Sequence, residues 1–409
     1  MKFSDFNITP EIIGNLKKLG FKKPTDIQFK AIPHILKKED VLAVAQTGTG
    51  KTAAFAIPVI SEIHRSKRSR RAEGVRCLVM VPTHELAIQI TEVFKEIGRG
   101  TRVKTFGIYG GVKQDPQITR LQSGIDIIIA TPGRVFDLVN QRYLDIRQIE
   151  TLILDEADHM LDLGFLKDIQ DLLRYIPKKR QTLFFSATID ENIKKLAYSL
   201  VSNPIRIQIS PKNPVAKNIE HGVIEVKMDD KRFFLERIIS ENPEKKILVF
   251  VRTKVRAERV SSAMERVGIK SLTIHSDKDQ DNRNEVMKKF SVGEVKILIA
   301  TDVSARGIDI PDIDYVINYD LPEQTENYVH RVGRTGRGRN KGQAISFSSP
   351  REQELLEKIE EYLGQNIQKL SIEKEEYRET LELTGERTDW QKLMLEAEEG
   401  KKRKRKKKK

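Results

Sequence analysis

Two apolar strands in this chain each run into a segment that cannot continue a strand. Val41-Leu42-Ala43-Val44 leads into Ala45-Gln46-Thr47-Gly48-Thr49-Gly50-Lys51-Thr52, and Thr151-Leu152-Ile153-Leu154 leads into Asp155-Glu156-Ala157-Asp158. A Gly-rich turn between strand and helix points several backbone N–H groups at one place, where they can hold phosphate oxygens. Lys51 adds a point charge and Thr52 a hydroxyl for Mg²⁺, with Ala45 standing where the usual pattern has its first Gly. An Asp closing a buried strand can also hold the metal, and the Glu beside it can orient and deprotonate a water. Thr52 and Asp155 are therefore the expected metal ligands, and the chain reads as a nucleotide hydrolase.

The rhythm around these segments sets the fold class. Apolar runs of four to six residues alternate with helical patterns, as in parallel α/β domains. Strands are expected near 41–45, 76–81, 104–109, 126–130, 151–154 and 182–186. A Pro- and Asn-bearing stretch, 210–218, breaks the pattern and serves as the linker. The rhythm then restarts at 247–251, 271–275, 296–300, 315–318 and 344–347, without a second Gly-Lys-Thr. The expected organisation is a first α/β domain over 1–209, a second over 219–365, and an extension over 366–409 that is short and helical or disordered. A length of 409 residues allows two or three domains, each with its own core.

Composition narrows the setting. Lys and Arg total 73 against 59 Asp and Glu, a net charge of +14, and residues 401–409 are all basic, which leaves +5 on the rest. A run this dense attracts polyanions; if all nine charges met single-stranded phosphates, log affinity would fall with log salt at a slope near ~ −6. A solvated tail is the plain alternative. No apolar run approaches a membrane span and the first residues lack a signal-peptide core, so no membrane partner is expected. The single Cys77 lies in an apolar strand and reads as core packing; with no disulfide possible, a reducing cytoplasmic setting follows.

Other segments suggest what the hydrolysis serves. Gln28, in Gly20-Phe21-Lys22-Lys23-Pro24-Thr25-Asp26-Ile27-Gln28, has an amide able to donate to and accept from an adenine edge, so ATP is the expected nucleotide. Phe21 belongs to the same nucleotide-binding segment; Phe3, further upstream, suits stacking on the base or packing in the core equally. Ser186-Ala187-Thr188 follows a strand and could hydrogen-bond Asp158 or its neighbours, or simply cap a helix. In His330-Arg331-Val332-Gly333-Arg334-Thr335-Gly336-Arg337, three Arg spaced by Gly resemble neither a core nor an ordinary helix. Arg334 and Arg337 suit arginine fingers, worth roughly 10³–10⁵ in rate where such fingers operate. Thr301-Asp302-Val303-Ser304-Ala305-Arg306-Gly307-Ile308-Asp309 offers Asp309 to a ribose, Arg306 to phosphate and Gly307 for close backbone approach.

In order, the chain carries GFKKPTDIQ, AQTGTGKT, PTHELA, Gly110-Gly111, TPGR, DEAD, SAT, LVFVRT, ATDVSARGID and HRVGRTGR. This set resembles the DEAD-box ATP-dependent RNA helicases of superfamily 2, of the compact bacterial, RhlE-like kind, over about residues 3–350. The resemblance implies two tandem RecA-like domains that close over ATP–Mg²⁺ and single-stranded RNA. It implies that Pro82, Thr83, Gly111, Thr131, Pro132, Gly133 and Arg134 line the RNA path in the first domain. Arg252, Thr253, Gln280, Arg283 and Thr301 are similar to RNA contacts in the second. Asp158, Ser186, Thr188 and His330 would couple the two ligands. Two positions depart from the family pattern: His84 replaces an Arg in PTHELA, removing a fixed charge and a guanidinium fork, and Ser276 follows His275 where Gly is usual.

The resemblance yields a mechanism in which closure requires both ligands, each raising affinity for the other by the same factor. Backbone contacts from Thr, Gly N–H and Arg orient a strand without reading its bases. Local strand separation and remodelling of RNA or its protein complexes are the expected outcome. An ATP-gated RNA clamp with little unwinding is the competing reading; a DNA helicase and a nucleotide kinase are more distant ones. Ribosome assembly, RNA decay and cold adaptation stay open as settings, and a monomer is the default state.

Overall fold

A computed structural model describes residues 2–45, 48–67, 69, 74–189, 191–209, 215, 218–302, 313–336 and 341–382. Two compact units emerge, the first built largely from residues up to 212 and the second from those after. Most of the linker expected over 210–218, and the tail from 383 onwards, lie outside the described residues. No helix among the described residues is long and apolar enough to cross a membrane.

The first unit is a seven-stranded sheet of β1 (Val41–Ala45), β2 (Cys77–Met80), β3 (Thr105–Ile108), β4 (Ile127–Ala130), β5 (Thr151–Leu154), β6 (Gln181–Ser186) and β7 (Ile205–Ile209). Their spatial order is β3-β4-β2-β5-β6-β1-β7, and every pairing is parallel. A parallel sheet must be covered on both faces, so its strands read as continuous apolar runs. Successive residues of β1 divide accordingly: Val41, Ala43 and Ala45 join one core, Leu42 the other. On the first face, Phe55 of helix Lys51–Ser66 packs on Phe94 and Phe185, with ring centroids 6.0 and 5.2 Å away.

The second unit repeats the plan. Its strands are β8 (Ile219–Glu225), β9 (Ile247–Phe250), β10 (Leu272–Ile274), β11 (Ile297–Ala300), β12 (Tyr315–Asn318), β13 (Gly342–Ser348) and β14 (Gln368–Lys369). The order β10-β11-β9-β12-β13-β8-β14 is that of the first sheet with seven added to every number, again all parallel. Two RecA-like α/β units in tandem are therefore present, as the sequence implied. The repeat also supplies β7, β8 and β14, three strands the apolar runs had not indicated.

Residues 366–382, expected as the start of an extension, are part of the second unit. β14 pairs with β8, and helix Lys374–Glu382 packs on helix Lys231–Glu241. There Arg237 donates to Glu376 and Thr380 at 2.8 and 2.7 Å, and the Tyr377 and Phe234 rings lie 4.9 Å apart. Few apolar residues suffice because one face of a short helix is all that is buried.

Candidate active site and nucleic-acid interface

The strand order sorts the first unit's motifs into two halves of one sheet edge. Ala45, Asp155 and Ser186 close the adjacent strands β1, β5 and β6 or directly follow them; Pro82, Gly111 and Thr131 follow β2, β3 and β4. Strands stand roughly 4.8 Å apart, so the whole edge spans only a few nucleotides.

On the β5-β6-β1 half, Gly48 and Gly50 sit at φ +78° and +93°, in the left-handed region that Gly enters freely. A Cβ on Gly50 would meet Gln28 Nε2 at 2.5 Å. Gln28 is buried and braces this turn: its Nε2 donates to Gly50 O at 3.1 Å and its Oε1 accepts from Thr25 N at 3.0 Å. Lys51 opens the following helix with Thr52 next to it, and Lys51 Nζ donates to Ala45 O at 3.0 Å. Gln46 and Thr47 lie outside the described residues. Phe3 takes the core role of its two options: it is 5 % exposed, between Phe6 and Phe21 at 6.4 and 6.1 Å. Phe21 is only half-buried.

Asp155 is 3 % exposed, and burial pushes its carboxyl up to about 6, opposed by Lys51 and reinforced by Glu156 and Asp158. A buried carboxylate beside one Lys and two acids suits a further cation, and the open Gly turn suits phosphate; the residues fit a nucleotide–Mg²⁺ group. Glu156 stands at φ 53° and ψ 49°, a left-handed conformation uncommon for a residue with a side chain. Asp158 Oδ2 accepts from Ala187 N, Thr188 N and Thr188 Oγ1 at 3.1, 3.0 and 3.2 Å, tying β5 to β6. Ser186 does not join this contact. Closing β6, it is fully buried and its Oγ finds no partner among the described residues.

On the β3-β4-β2 half, Thr83 caps helix His84–Ile97, its Oγ1 accepting from Leu86 N at 3.3 Å. Gly111 sits at φ +76°. Thr131, Pro132, Gly133 and Arg134 form the cap and first turn of helix Pro132–Asn140, and Arg134 Nη2 donates to Val112 O at 3.0 Å. His84 Nε2 lies 2.9 Å from Glu85 Oε1, a charge-pair distance without hydrogen-bond alignment, and its ring is 5.9 Å from Tyr109. The position given up by Arg thus holds a half-hidden imidazole beside an acid.

In the second unit, Arg252 follows β9, with its N–H on Asp320 Oδ2 at 3.1 Å and Nη2 on Leu321 O at 3.3 Å. Thr253 caps helix Lys254–Arg266, accepting from Arg256 N at 3.2 Å. Thr301 follows β11 and is buried, and Arg283 lies in helix Gln280–Ser291; the Gln280 side chain lies outside the description. Ser276 needs no left-handed backbone, so the missing Gly is accommodated there. Its neighbour His275 Nε2 pairs with Glu258 Oε1 at 2.7 Å.

One expectation for the Arg-rich segment is corrected. Arg331 is a core residue, 2 % exposed in helix Thr325–Val332, its Nη2 on Asp302 Oδ2 and Nη1 on Asp320 O, both at 2.7 Å. Its guanidinium also lies 5.1 Å from the Phe250 ring centre. A planar guanidinium meets a carboxylate with two donors and lies against an aromatic face, which suits it to this buried position. His330 shares the helix, and Arg334 is buried with Nε on His330 O at 3.2 Å. Arg306, Gly307, Asp309 and Arg337 lie outside the described residues.

The repeat also exposes a residue that motifs missed. Lys231 opens helix Lys231–Glu241 after β8, as Lys51 opens its helix after β1. It is wholly buried, with Nζ on Glu352 Oε2 at 2.6 Å and on Tyr319 O at 2.7 Å. Burial alone would raise the Glu352 carboxyl, but Lys231 holds it below its ordinary value. No Gly-rich spacing precedes Lys231, so only strand order could have found it.

Comparison with known proteins agrees with this layout. The DEAD/DEAH box helicase family matches residues 25–196 and the helicase conserved C-terminal domain matches 230–339. The chain is 40 % identical to the ATP-dependent RNA helicase CshA of Listeria monocytogenes over 90 % of its own length and 70 % of the relative's. It is 38 % identical to the ATP-dependent RNA helicase DbpA of Bacillus subtilis, over 91 % and 77 %. S. cerevisiae Dbp5 bound to RNA and ADP BeF3 superposes with a TM-score of 0.82 at 30 % identity, covering 90 % of this chain and 95 % of that one. These relatives give no specific support to the finer RhlE likeness. With its two parallel sheets and its ordered motifs, the chain belongs to the DEAD-box family of ATP-dependent RNA helicases.

Proposed function

We propose that this enzyme hydrolyses ATP at the β5-β6-β1 edge only when single-stranded RNA occupies the β3-β4-β2 edge and its second-unit counterpart. The observation that carries the reading is the tie from Asp158 to Ala187 and Thr188, which couples the strand bearing Asp155 and Glu156 to its neighbour. Phosphates are held by the 45–52 turn and Lys51, and Thr52 and Asp155 hold Mg²⁺. When bound, the metal would supply charge neutralisation at the phosphates. Glu156 orients the attacking water and accepts its proton, and Arg334 and Arg337 meet the charge that develops.

RNA is gripped through its backbone by Thr83, Gly111, Thr131–Arg134, Arg252, Thr253, Gln280, Arg283 and Thr301, so sequence preference is weak. Binding of both ligands draws the units together on a bent single strand, which separates a short duplex locally and remodels RNA or its protein complexes. We infer a cytoplasmic monomer whose basic tail tethers RNA without specificity; ribosomal and RNA-decay assemblies are its candidate settings.

Steady-state ATPase tests the reading, measured alone, with single-stranded RNA and with DNA of the same sequence. Stimulation by RNA alone, abolished in Glu156→Gln, is expected; equal stimulation by DNA or indifference to both overturns it. Release of one strand from a short RNA duplex then separates unwinding from mere clamping.

A further inference from the structure

Beside the hydrolytic edge lies a side chain that no motif claims. His159 follows Glu156 by three residues, on the first turn of helix Ala157–Asp162, and is 4 % exposed. Its Nδ1 is 3.6 Å from Glu156 Oε2, and neither ring nitrogen has a hydrogen-bond partner among the described residues. Buried polar atoms are rarely left so, and the exceptions gather where a protein acts on something. Three further facts point the same way. Glu156 is held in a left-handed conformation that only a constraining surrounding sustains. Asp158, between the two residues, is pinned by three hydrogen bonds, so the helix carrying His159 has a fixed start. The left-handed turn at Glu156, one residue ahead of the helix, brings its carboxylate back to the imidazole, 3.6 Å from Nδ1.

We propose that His159 is a positioning residue for hydrolysis, its Nδ1–H donating to Glu156 Oε2 and fixing the carboxylate's direction toward the water. A ring rotation and a few tenths of an ångström turn the present approach into a hydrogen bond. The ring then acts on the hydrolytic step through Glu156, without touching nucleotide or RNA. The inference rests on the reading of Glu156 as the water-activating base.

The test is RNA-stimulated ATPase of the full chain bearing His159→Leu and His159→Asn, each alone and with Glu156→Gln. Because Nδ1 faces the acid, the Asn amide can place a donor at nearly the same point, whereas Leu fills the space without one. His159→Leu is expected to lower kcat about tenfold with KM for ATP and RNA affinity unchanged, and His159→Asn to stay within about threefold of the parent. In the Glu156→Gln background, His159→Leu should change the single-turnover rate by less than twofold. A kcat unaffected by His159→Leu overturns the proposal, as does an equal loss in both variants or an additive loss with Glu156→Gln. A Glu156→Gln enzyme at the parent's rate would instead sink the reading of Glu156 itself. Should His159→Leu not fold, ¹⁵N-histidine spectra decide: the His159 Nδ1 signal should move on Glu156→Ala, and a signal indifferent to that change overturns the proposal.

Discussion

The two units thread the same strand order with the same parallel pairings, and a lysine opens the helix after the first strand in both. Around that lysine they differ. Lys51 follows an open Gly turn and lies near a buried Asp155, whose carboxyl burial raises to about 6 against the pull of Lys51. Lys231 is already satisfied by the Glu352 carboxylate and the Tyr319 carbonyl, with Asp320 Oδ1 3.8 Å away. The first unit sets its lysine beside an open Gly turn and a buried acid, an arrangement that suits an anionic ligand with a metal; the second closes its lysine on internal partners. The two units share a backbone plan, and a few side chains set their lysines apart.

That contrast can be broken. The largest effect should come from Lys51→Ala, expected to cut RNA-stimulated ATPase by about 10²-fold or more with little change in melting temperature, because the lysine's one protein hydrogen bond among the described residues is to the Ala45 carbonyl. Lys231→Ala should do the opposite. Glu352 would lose its fully buried counter-ion and keep Arg252 Nη2 at 3.4 Å with the Ser349 and Leu321 N–H groups, a cost of about 3 kcal/mol, seen as a lower denaturant midpoint for the second unit. Pairing Lys231→Met with Glu352→Gln should recover a good part of that loss. A Lys231→Ala protein as stable as the parent would refute the internal-anion account.

Asp155 gives the next effect, with a definite sign. Its folded-state value of about 6 lies above the ordinary 3.8, so between those values the folded chain keeps a proton that the unfolded chain has lost. The stability linked to that proton is full below about pH 4 and lost as pH rises through 6, about 3 kcal/mol in all. Asp155→Asn should therefore stabilise the nucleotide-free protein at pH 7.5 by up to about that amount and lose this advantage near pH 4, while abolishing ATPase. Urea titrations at the two pH values check it. The smallest effect is expected at His84, whose imidazole sits by Glu85 in place of a family Arg. His84→Arg should tighten single-stranded RNA binding about two- to threefold, read by fluorescence anisotropy at fixed salt.

What could be read ahead of the structure follows from what each element is made of. β1, β5 and β12 are buried on both faces and carry unbroken apolar runs, so their limits fell where Val41, Thr151 and Tyr315 begin them. β7 alternates Ile205-Arg206-Ile207-Gln208-Ile209 as a sheet edge does, β8 includes Glu220, His221 and Gly222, and β14 is a two-residue strand that exists only because β8 offers a free side. None could be found by looking for apolar runs. The Gly turn, Lys51 and the acids after β5 stood out in the sequence because phosphate chemistry asks for Gly, Lys and acid at fixed spacing. The fate of Arg331 was not, because its partners Asp302 and Phe250 come from distant strands. Lys231 and His159 were hidden for the same reason: each is defined by a neighbour rather than by a spacing.

Nucleotide stoichiometry tests the central claim most directly. Equilibrium dialysis of the full chain with a non-hydrolysable ATP analogue, Mg²⁺ and single-stranded RNA should give one equivalent bound per chain, and none in Lys51→Ala. A second equivalent, or binding that survives Lys51→Ala, would contradict an account in which one copy of the fold awaits the anion and the other carries its own.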